Sequence, residues 1–195
     1  MPNSDYHNAI LGCLFGGAIG DALGLEVEFK SLSSIHERYG LTGITEPALT
    51  NGKSLVSDDT QMTMFTLDGV LSHLESPASG LIEEVRKSYL RWLTTQERDL
   101  YWTAPDEPLR LEEEPVLNHM RAPGRTCCNS LEEGGHGTLE NPLNNSKGCG
   151  GVMRVAPVGL VQKWSPKECF RIGAQTAVIT HGHPSGYLSA GALAL

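Results

Sequence analysis

The stretch Ser57-Asp58-Asp59-Thr60-Gln61-Met62-Thr63-Met64-Phe65-Thr66-Leu67-Asp68-Gly69-Val70-Leu71-Ser72-His73-Leu74 carries the pattern that sets the fold class. Met62, Met64, Phe65, Leu67, Val70, Leu71 and Leu74 recur at helical spacing and form an apolar stripe that ends before Pro77. Ser57 or Asp58 is a suitable N-cap, because a short polar side chain accepts from the unbonded amides of a first turn. The spacing predicts a helix that starts at the aspartates.

The same period appears on both sides of it. In residues 6–23 Ile10, Leu11, Leu14, Phe15, Ala18, Ile19 and Ala22 predict a helix with a broad buried face. Gly12, Gly16, Gly17 and Gly20 inside it each cost up to about 1 kcal/mol against alanine, so a close neighbour is expected there. Residues 29–56, punctuated by Gly, Pro and Ser, read as loop. A helix is predicted over 81–93. Residues 94–150, rich in Pro, Gly, Asn and Glu, read as a long connection in which only 115–120 resembles a helical turn. Helical patterns resume over 151–162, over 165–179 with Ser165-Pro166 and Glu168 as a start signal, and over 185–195. No stretch of four or more residues alternates like a strand, so the fold class is all-α.

Composition narrows the function. The 195 residues are enough for one domain that buries about two-thirds of its unfolded surface. With 23 acidic against 15 basic residues the formal charge is -8, and the basic residues are unclustered, which argues against nucleic-acid and membrane partners. The opening Met1-Pro2-Asn3-Ser4-Asp5 has no positive run and no apolar core, so a cytoplasmic address is expected. Cys13, Cys127, Cys128, Cys149 and Cys169 are scattered without a C-x-x-C spacing and read as reduced thiols.

Four constellations carry chemistry. Ser57-Asp58-Asp59-Thr60 offers hard oxygen ligands of the kind Mg²⁺, Mn²⁺ or Ca²⁺ takes. Alone, such a pair is more often a plain cap; successive helical residues diverge by about 100°, so both carboxylates meet one site only where the chain enters the helix. In Gly20-Asp21-Ala22-Leu23-Gly24-Leu25-Glu26-Val27-Glu28-Phe29, acids stand among apolar neighbours, where raised pKa values are found; exposed acids at a helix end are the alternative. Asn144-Asn145-Ser146-Lys147-Gly148-Cys149-Gly150-Gly151-Val152-Met153-Arg154 is a glycine turn opening into a helix, a place for an anion on backbone amides or a purely structural turn. It is neither a P-loop nor a Rossmann fingerprint. Thr180-His181-Gly182-His183-Pro184-Ser185-Gly186-Tyr187 places two histidines before a proline-led helix. An oxygen-rich site favours a harder ion than zinc, so ligand hydrogen bonding is the expected role of these histidines.

In this order, G-D-A-L-G-x-x-x-E (residues 20–28), S-D-D-T (57–60), S-K-G-C-G-G-V-M-R-V-A-P (146–157) and T-H-G-H-P-S-G-Y (180–187) resemble the ADP-ribosylglycohydrolase family, which includes dinitrogenase reductase-activating glycohydrolase and the ADP-ribosylarginine hydrolases. The resemblance implies a compact orthogonal multi-helix fold, residues 1–195 forming one domain that is incomplete at its carboxyl side. It implies two Mg²⁺ ions in the complete domain, with Mn²⁺ in some members, and an ADP-ribosylated protein or small conjugate as partner. By motif, Ser57, Asp58 and Asp59 resemble metal ligands. Asp58, Asp59 and Glu28 are the implied catalytic acids. Asp21, Ser146, Gly148, Cys149, Gly150, Gly151, His181 and Tyr187 are the implied substrate-binding residues. Ser57 stands where threonine is common, which keeps the hydroxyl. H-P-S-G-Y is closest to the arginine-directed pattern. The family's D-x-D-[TD] motif near its carboxyl end has no counterpart, which leaves a fragment, a split protein or an inactive remnant as alternatives. The implied activity is hydrolysis of the C1″ glycosidic bond. A non-catalytic member acting by binding or occlusion is one rival, and a Mg²⁺-dependent phosphohydrolase, which leaves the histidine motif unexplained, is another.

Overall fold

The computed structural model describes residues 4–96, 111 and 114–195. Among these, eight α-helices run in the order α1 Ser4–Leu25, α2 Leu32–Tyr39, α3 Asp58–Glu75, α4 Leu81–Thr94, α5 Arg125–Glu132, α6 Ala156–Gly159, α7 Pro166–Val178 and α8 Pro184–Leu193. The only sheet among them is a two-residue hairpin, β1 Leu49–Thr50 against β2 Lys53–Ser54, closed by Asn51 and Gly52. The all-α expectation holds. The chain forms two compact units, Met1–Thr60 and Gln61–Leu195.

The first unit contains α1, α2, the hairpin and the entry to α3. α1 forms as the periodicity predicts, but its expected broad buried face is not found: Ala22 is its one buried residue, while Phe15 is 64% and Ile19 54% exposed. Of the close helix packing or nearby ligand that its glycines call for, no helix packing is found among the described residues. A Cβ added at Gly12, Gly16, Gly17 or Gly20 would meet no described atom within 4 Å. By length and composition α1 is apolar enough to cross a membrane, a test that a soluble core helix or a signal sequence also passes. The loop expected over 29–56 contains α2, whose N-cap Ser31 accepts from the Ser34 amide and whose end is set by Gly40. Eight residues with a weak apolar stripe between caps give little periodic signal. Glu26 ties this region together, accepting from the Tyr39 hydroxyl at 3.0 Å and pairing with Arg38 at 2.6 Å.

The second unit has two apolar clusters. In one, Met62, Phe65 and Val70 of α3 meet Val85, Tyr89, Trp92 and Leu93 of α4 and Cys127, Cys128 and Leu131 of α5. α3 and α4 approach so closely that a Cβ on Gly69 would lie 2.5 Å from the Val85 Cα, which explains a glycine inside a helix. A buried amide organises this end: Gln61 Nε2 donates to the Leu117 carbonyl at 3.1 Å and the His119 carbonyl at 2.8 Å, while its Oε1 accepts from Trp92 Nε1 at 3.2 Å. In the other cluster, Val155, Val158, Ile172, Ala177, Ala190 and Ala194 join α6, α7 and α8.

The helices expected at 81–93, 165–179 and 185–195 appear within a residue or two of those bounds, and Ser165 and Glu168 form a reciprocal capping box. Two expectations need correction. α5 lies inside the stretch read as a long connection; its apolar side is Cys127, Cys128 and Leu131, too few positions to raise a periodic signal in eight residues. The continuous helix read over 151–162 is instead a 3-10 turn Cys149–Gly151 followed by the four-residue α6. Pro157 sits near the start of α6, the position where its ring and missing amide are tolerated. The 115–120 piece contains the expected turn, with the Leu117 and Asn118 amides donating to the Glu114 carbonyl at 2.9 and 3.1 Å. All five cysteines are free thiols.

Candidate functional site

The acidic motif of the first unit is built around Asp21, near the end of α1. Its carboxylate accepts from the Ser57 amide at 3.1 and 2.9 Å, from the Thr60 amide at 3.1 Å and from the Thr60 hydroxyl at 2.5 Å. A charged acceptor from elsewhere in the chain thus satisfies free amides at the start of α3, as a cap would. The Ser57 hydroxyl accepts from the Asp59 amide at 3.1 Å. Ser57 and Asp58 are buried, at 4% and 7% exposure, and Asp59 is partly buried. Burial, then the charges of Asp21 and Glu28, push the Asp59 carboxyl up to about 6. Glu28 itself is exposed just past α1.

Hydroxyl and carboxylate oxygens of this kind suit Mg²⁺ or Mn²⁺, and a carboxyl held high by neighbouring acids is one that a cation would relieve. The donors fit such an ion as part of a site. Among the described residues no group of three or more His, Cys, Asp or Glu side chains is placed to hold a metal ion by itself.

The glycine and histidine motifs meet in the second unit. Asn144 clamps them: its Oδ1 accepts from the Ser146 amide at 2.9 Å and the Gly182 amide at 3.2 Å, and its Nδ2 donates to the Thr180 carbonyl at 2.8 Å. The Ser146 hydroxyl accepts from the Gly148 amide at 3.2 Å. Gly150 and Gly151 are buried and Cys149 is exposed. His181, 2% exposed, lies directly against this turn. A Cβ on Gly150 would fall 2.6 Å from His181 Cε1 and 2.8 Å from Cys127 Sγ, so this position accepts no side chain without movement. Burial first, and then the nearby Arg154 charge, drive the His181 pKa down to about 3, so the imidazole is neutral. His183, the other histidine of the motif, caps α8 by accepting from the Ser185 amide on Nδ1 at 3.0 Å.

Of the residues singled out in the sequence, Asp21, Ser57, Asp58 and Asp59 converge in the first unit, with the Glu28 charge acting on Asp59. Ser146, Gly148, Cys149, Gly150, Gly151 and His181 converge in the second. Tyr187 packs against the second apolar cluster. A cavity of about 260 Å³ beside the turn is lined by Thr126, Asn129, Ser130, Glu133, Asn144 and Ser146, among others. A larger one, of about 470 Å³, lies between α3 and α4. Asp68, Glu84, Lys87 and Arg91 line it, and none of the motif residues does. Asp68 pairs with Arg91 and Glu84 with Lys87, and Glu75 adds a further carboxyl to the lining.

Sequence reasoning passed over Thr60, Asn144, Arg154 and Thr180 as site-building residues. Three of the four stood inside quoted motifs and Asn144 stood at the head of one. Their roles depend on partners 22 to 39 positions away, except for the contacts between Asn144 and Ser146 and between adjacent Thr180 and His181.

A model of the ADP-ribosylglycohydrolase family matches residues 2–195, and the chain belongs to that family. It is 26% identical over 190 residues to ADP-ribosyl-[dinitrogen reductase] glycohydrolase of Rhodospirillum rubrum, covering 94% of this chain and 55% of that protein. It is also 26% identical over 174 residues to an uncharacterised protein of Archaeoglobus fulgidus, covering 87% of this chain and 48% of that one. The chain therefore spans about half the length of the curated relatives it matches. No solved structure matches it.

Proposed function

We propose that this chain is part of a Mg²⁺-dependent hydrolase that removes ADP-ribose from a modified target, with ADP-ribosylated arginine on a protein as the favoured substrate. Family membership supports the reaction class, and the name of the Rhodospirillum rubrum relative supports an ADP-ribosylated protein as the partner. The observation that carries the metal reading is the set of oxygen donors Ser57, Asp58 and Asp59 at a helix start whose amides are held by Asp21 and by the Ser57 hydroxyl. The arginine preference rests on the H-P-S-G-Y stretch at residues 183–187.

Ser57, Asp58 and Asp59 would hold the cation. When bound, it supplies positive charge that orients ribose hydroxyls and polarises the reacting centre. Asp21 keeps the motif in shape by binding the Ser57 and Thr60 amides. A carboxyl group from the set Asp58, Asp59 and Glu28, ionised, takes a proton from water or, protonated, gives one to the leaving group, a role worth about 10²- to 10⁴-fold in rate. The turn formed by Ser146, Gly148, Cys149, Gly150 and Gly151 offers amides to the anionic part of the ligand, and His181 lies against it.

The test is release of ADP-ribose from ADP-ribosylarginine, with and without Mg²⁺, by a form that includes the carboxyl-terminal segment the relatives carry. Combined Asp58→Ala and Asp59→Ala should abolish it; undiminished turnover in that variant rejects the assignment.

A second reading, a member that binds without catalysis, is favoured by the partial donor set among the described residues. Isothermal titration separates the two. ADP-ribose binding strengthened by Mg²⁺ supports the hydrolase, and binding indifferent to Mg²⁺ supports the alternative.

A further inference from the structure

We propose that Arg154 and Thr180 are positioning residues that hold His181 in a single tautomer, with Nδ1 bare and the proton on Nε2, so that the ring serves as a hydrogen-bond donor rather than as an acid or base.

The argument is one of donors and acceptors. Arg154 is fully buried, and its guanidinium stacks 4.1 Å from the centre of the Tyr89 ring. Arginine only donates. Its Nη2 gives hydrogen bonds to Thr180 Oγ1 at 2.7 Å and to the Thr176 carbonyl at 3.3 Å, and its Nη1 faces Cys127 Sγ at 3.6 Å and Met62 Sδ at 3.5 Å. The Thr180 hydroxyl, also fully buried, therefore acts as acceptor towards Arg154 and still has one proton to place. Its other polar neighbour is His181 Nδ1, at 2.8 Å. If Nδ1 carried a proton, the threonine would accept twice and its own hydrogen would have no acceptor among the described residues. An unmade hydrogen bond at a buried donor is unfavourable, because the donor has given up water without gaining a partner. With Nδ1 bare, the Thr180 hydroxyl both accepts from Arg154 Nη2 and donates to the ring, while Arg154 Nε stays a buried donor without an acceptor among the described residues.

That choice leaves the imidazole proton on Nε2. Nε2 is the ring nitrogen that approaches the glycine turn: a Cβ on Gly150 would sit 2.9 Å from it and one on Gly148 3.2 Å. Among the described residues nothing accepts from it. The titratable and charged groups packed around the ring are Arg154 and the Cys127 thiol. The cation close by disfavours a second ring proton, in keeping with the downward displacement already described. His181 is thus a donor aimed at the place where an oxygen acceptor would lie on the turn amides. The identity of that acceptor rests on the function proposed above; the tautomer does not.

The experiment is a long-range proton–nitrogen correlation spectrum of the 195-residue chain labelled with nitrogen-15 in histidine, with His181→Gln assigning the signals. At pH 7 His181 should show a bare Nδ1 and a protonated Nε2. Thr180→Ser, which keeps the hydroxyl, should preserve that pattern. Thr180→Val, which removes it at nearly equal volume, should give a mixture of tautomers. A protonated Nδ1 in the unsubstituted protein overturns the proposal, and so does an unchanged single tautomer in a folded Thr180→Val. If Thr180→Val does not fold, the unsubstituted protein and Thr180→Ser still decide it. No ligand enters the measurement, so a negative hydrolase assay beside the expected spectrum rejects the function and leaves the positioning intact.

Discussion

Asp59 and His181 are both drawn out of water, and in both burial favours the neutral form, yet the two surroundings resolve the cost differently. Around Asp59 the nearby ionisable groups named by their effect, Asp21 and Glu28, are further carboxylates, and its carboxyl is displaced only to about 6, so it is largely charged at neutral pH. Around His181 the cation Arg154 is itself spread over an aromatic face and two oxygen acceptors, and the imidazole, at about 3, is neutral throughout the physiological range. The first arrangement gains from an added cation. The second is satisfied internally except at two donor nitrogens, His181 Nε2 and Arg154 Nε. Like desolvation has left a carboxylate among carboxylates in one unit and a neutral imidazole beside a cation in the other.

The largest expected break is the loss of turnover in the Asp58→Ala, Asp59→Ala variant of the full-length form, with ADP-ribose binding through the second unit reduced far less. Comparing rate with ligand affinity in that variant measures it. Equal losses in both would collapse the distinction between the regions.

Next in size is the pH dependence of folding from His181. Its folded-state pKa lies below the unfolded value, so the unfolded chain binds the proton more readily. The associated stability is fully present above about pH 6.5 and declines as pH falls towards 3, by up to roughly 4 kcal/mol. Urea unfolding of the unsubstituted protein and His181→Gln between pH 7 and pH 4.5 should show a steep decline in the first and a shallower one in the second.

Gly150→Ala should cost up to about 3 kcal/mol, since the new methyl meets a buried imidazole and a buried thiol rather than a flexible chain end. Thermal unfolding checks this, and an unchanged midpoint would mean that the turn yields easily.

The smallest effect has the opposite sign. Asp59 titrates above its ordinary value in the folded state, so its stabilising contribution is complete below about pH 3.8 and lost as pH rises through about 6. Asp59→Asn should therefore stabilise the metal-free protein at pH 7.5 by about 2 kcal/mol. Added Mg²⁺ should raise the unfolding midpoint of the unsubstituted protein and not that of Asp59→Asn. A destabilised Asp59→Asn would show that the carboxylate is compensated rather than crowded.

Much of the helical skeleton was legible because long amphipathic runs announce themselves. α3, α4 and α7 have apolar stripes and caps, and their bounds follow from Pro77, Gly80 and Ser165. α2 and α5 were not legible, since eight residues hold only about two helical turns of pattern. α1 was read as a helix correctly and its environment incorrectly: apolar periodicity reports that a face suits burial, not that the described residues bury it.

The site divides the same way. The motifs marked the chemistry of Ser57, Asp58, Asp59, the 148–151 turn and His181 from residue types at short range. Helix periodicity, capping and oxygen-rich ligand chemistry are local, so the sequence by itself determined the all-α class and the residues to inspect. Only the tertiary structure decided that Asp21 caps the start of α3, that Asn144 binds the glycine turn to the histidine turn, and that Arg154 reaches His181 through Thr180. Those are pairings across distant positions among buried groups, where the choice of partner sets both protonation and tautomer, and no local pattern encodes the partner.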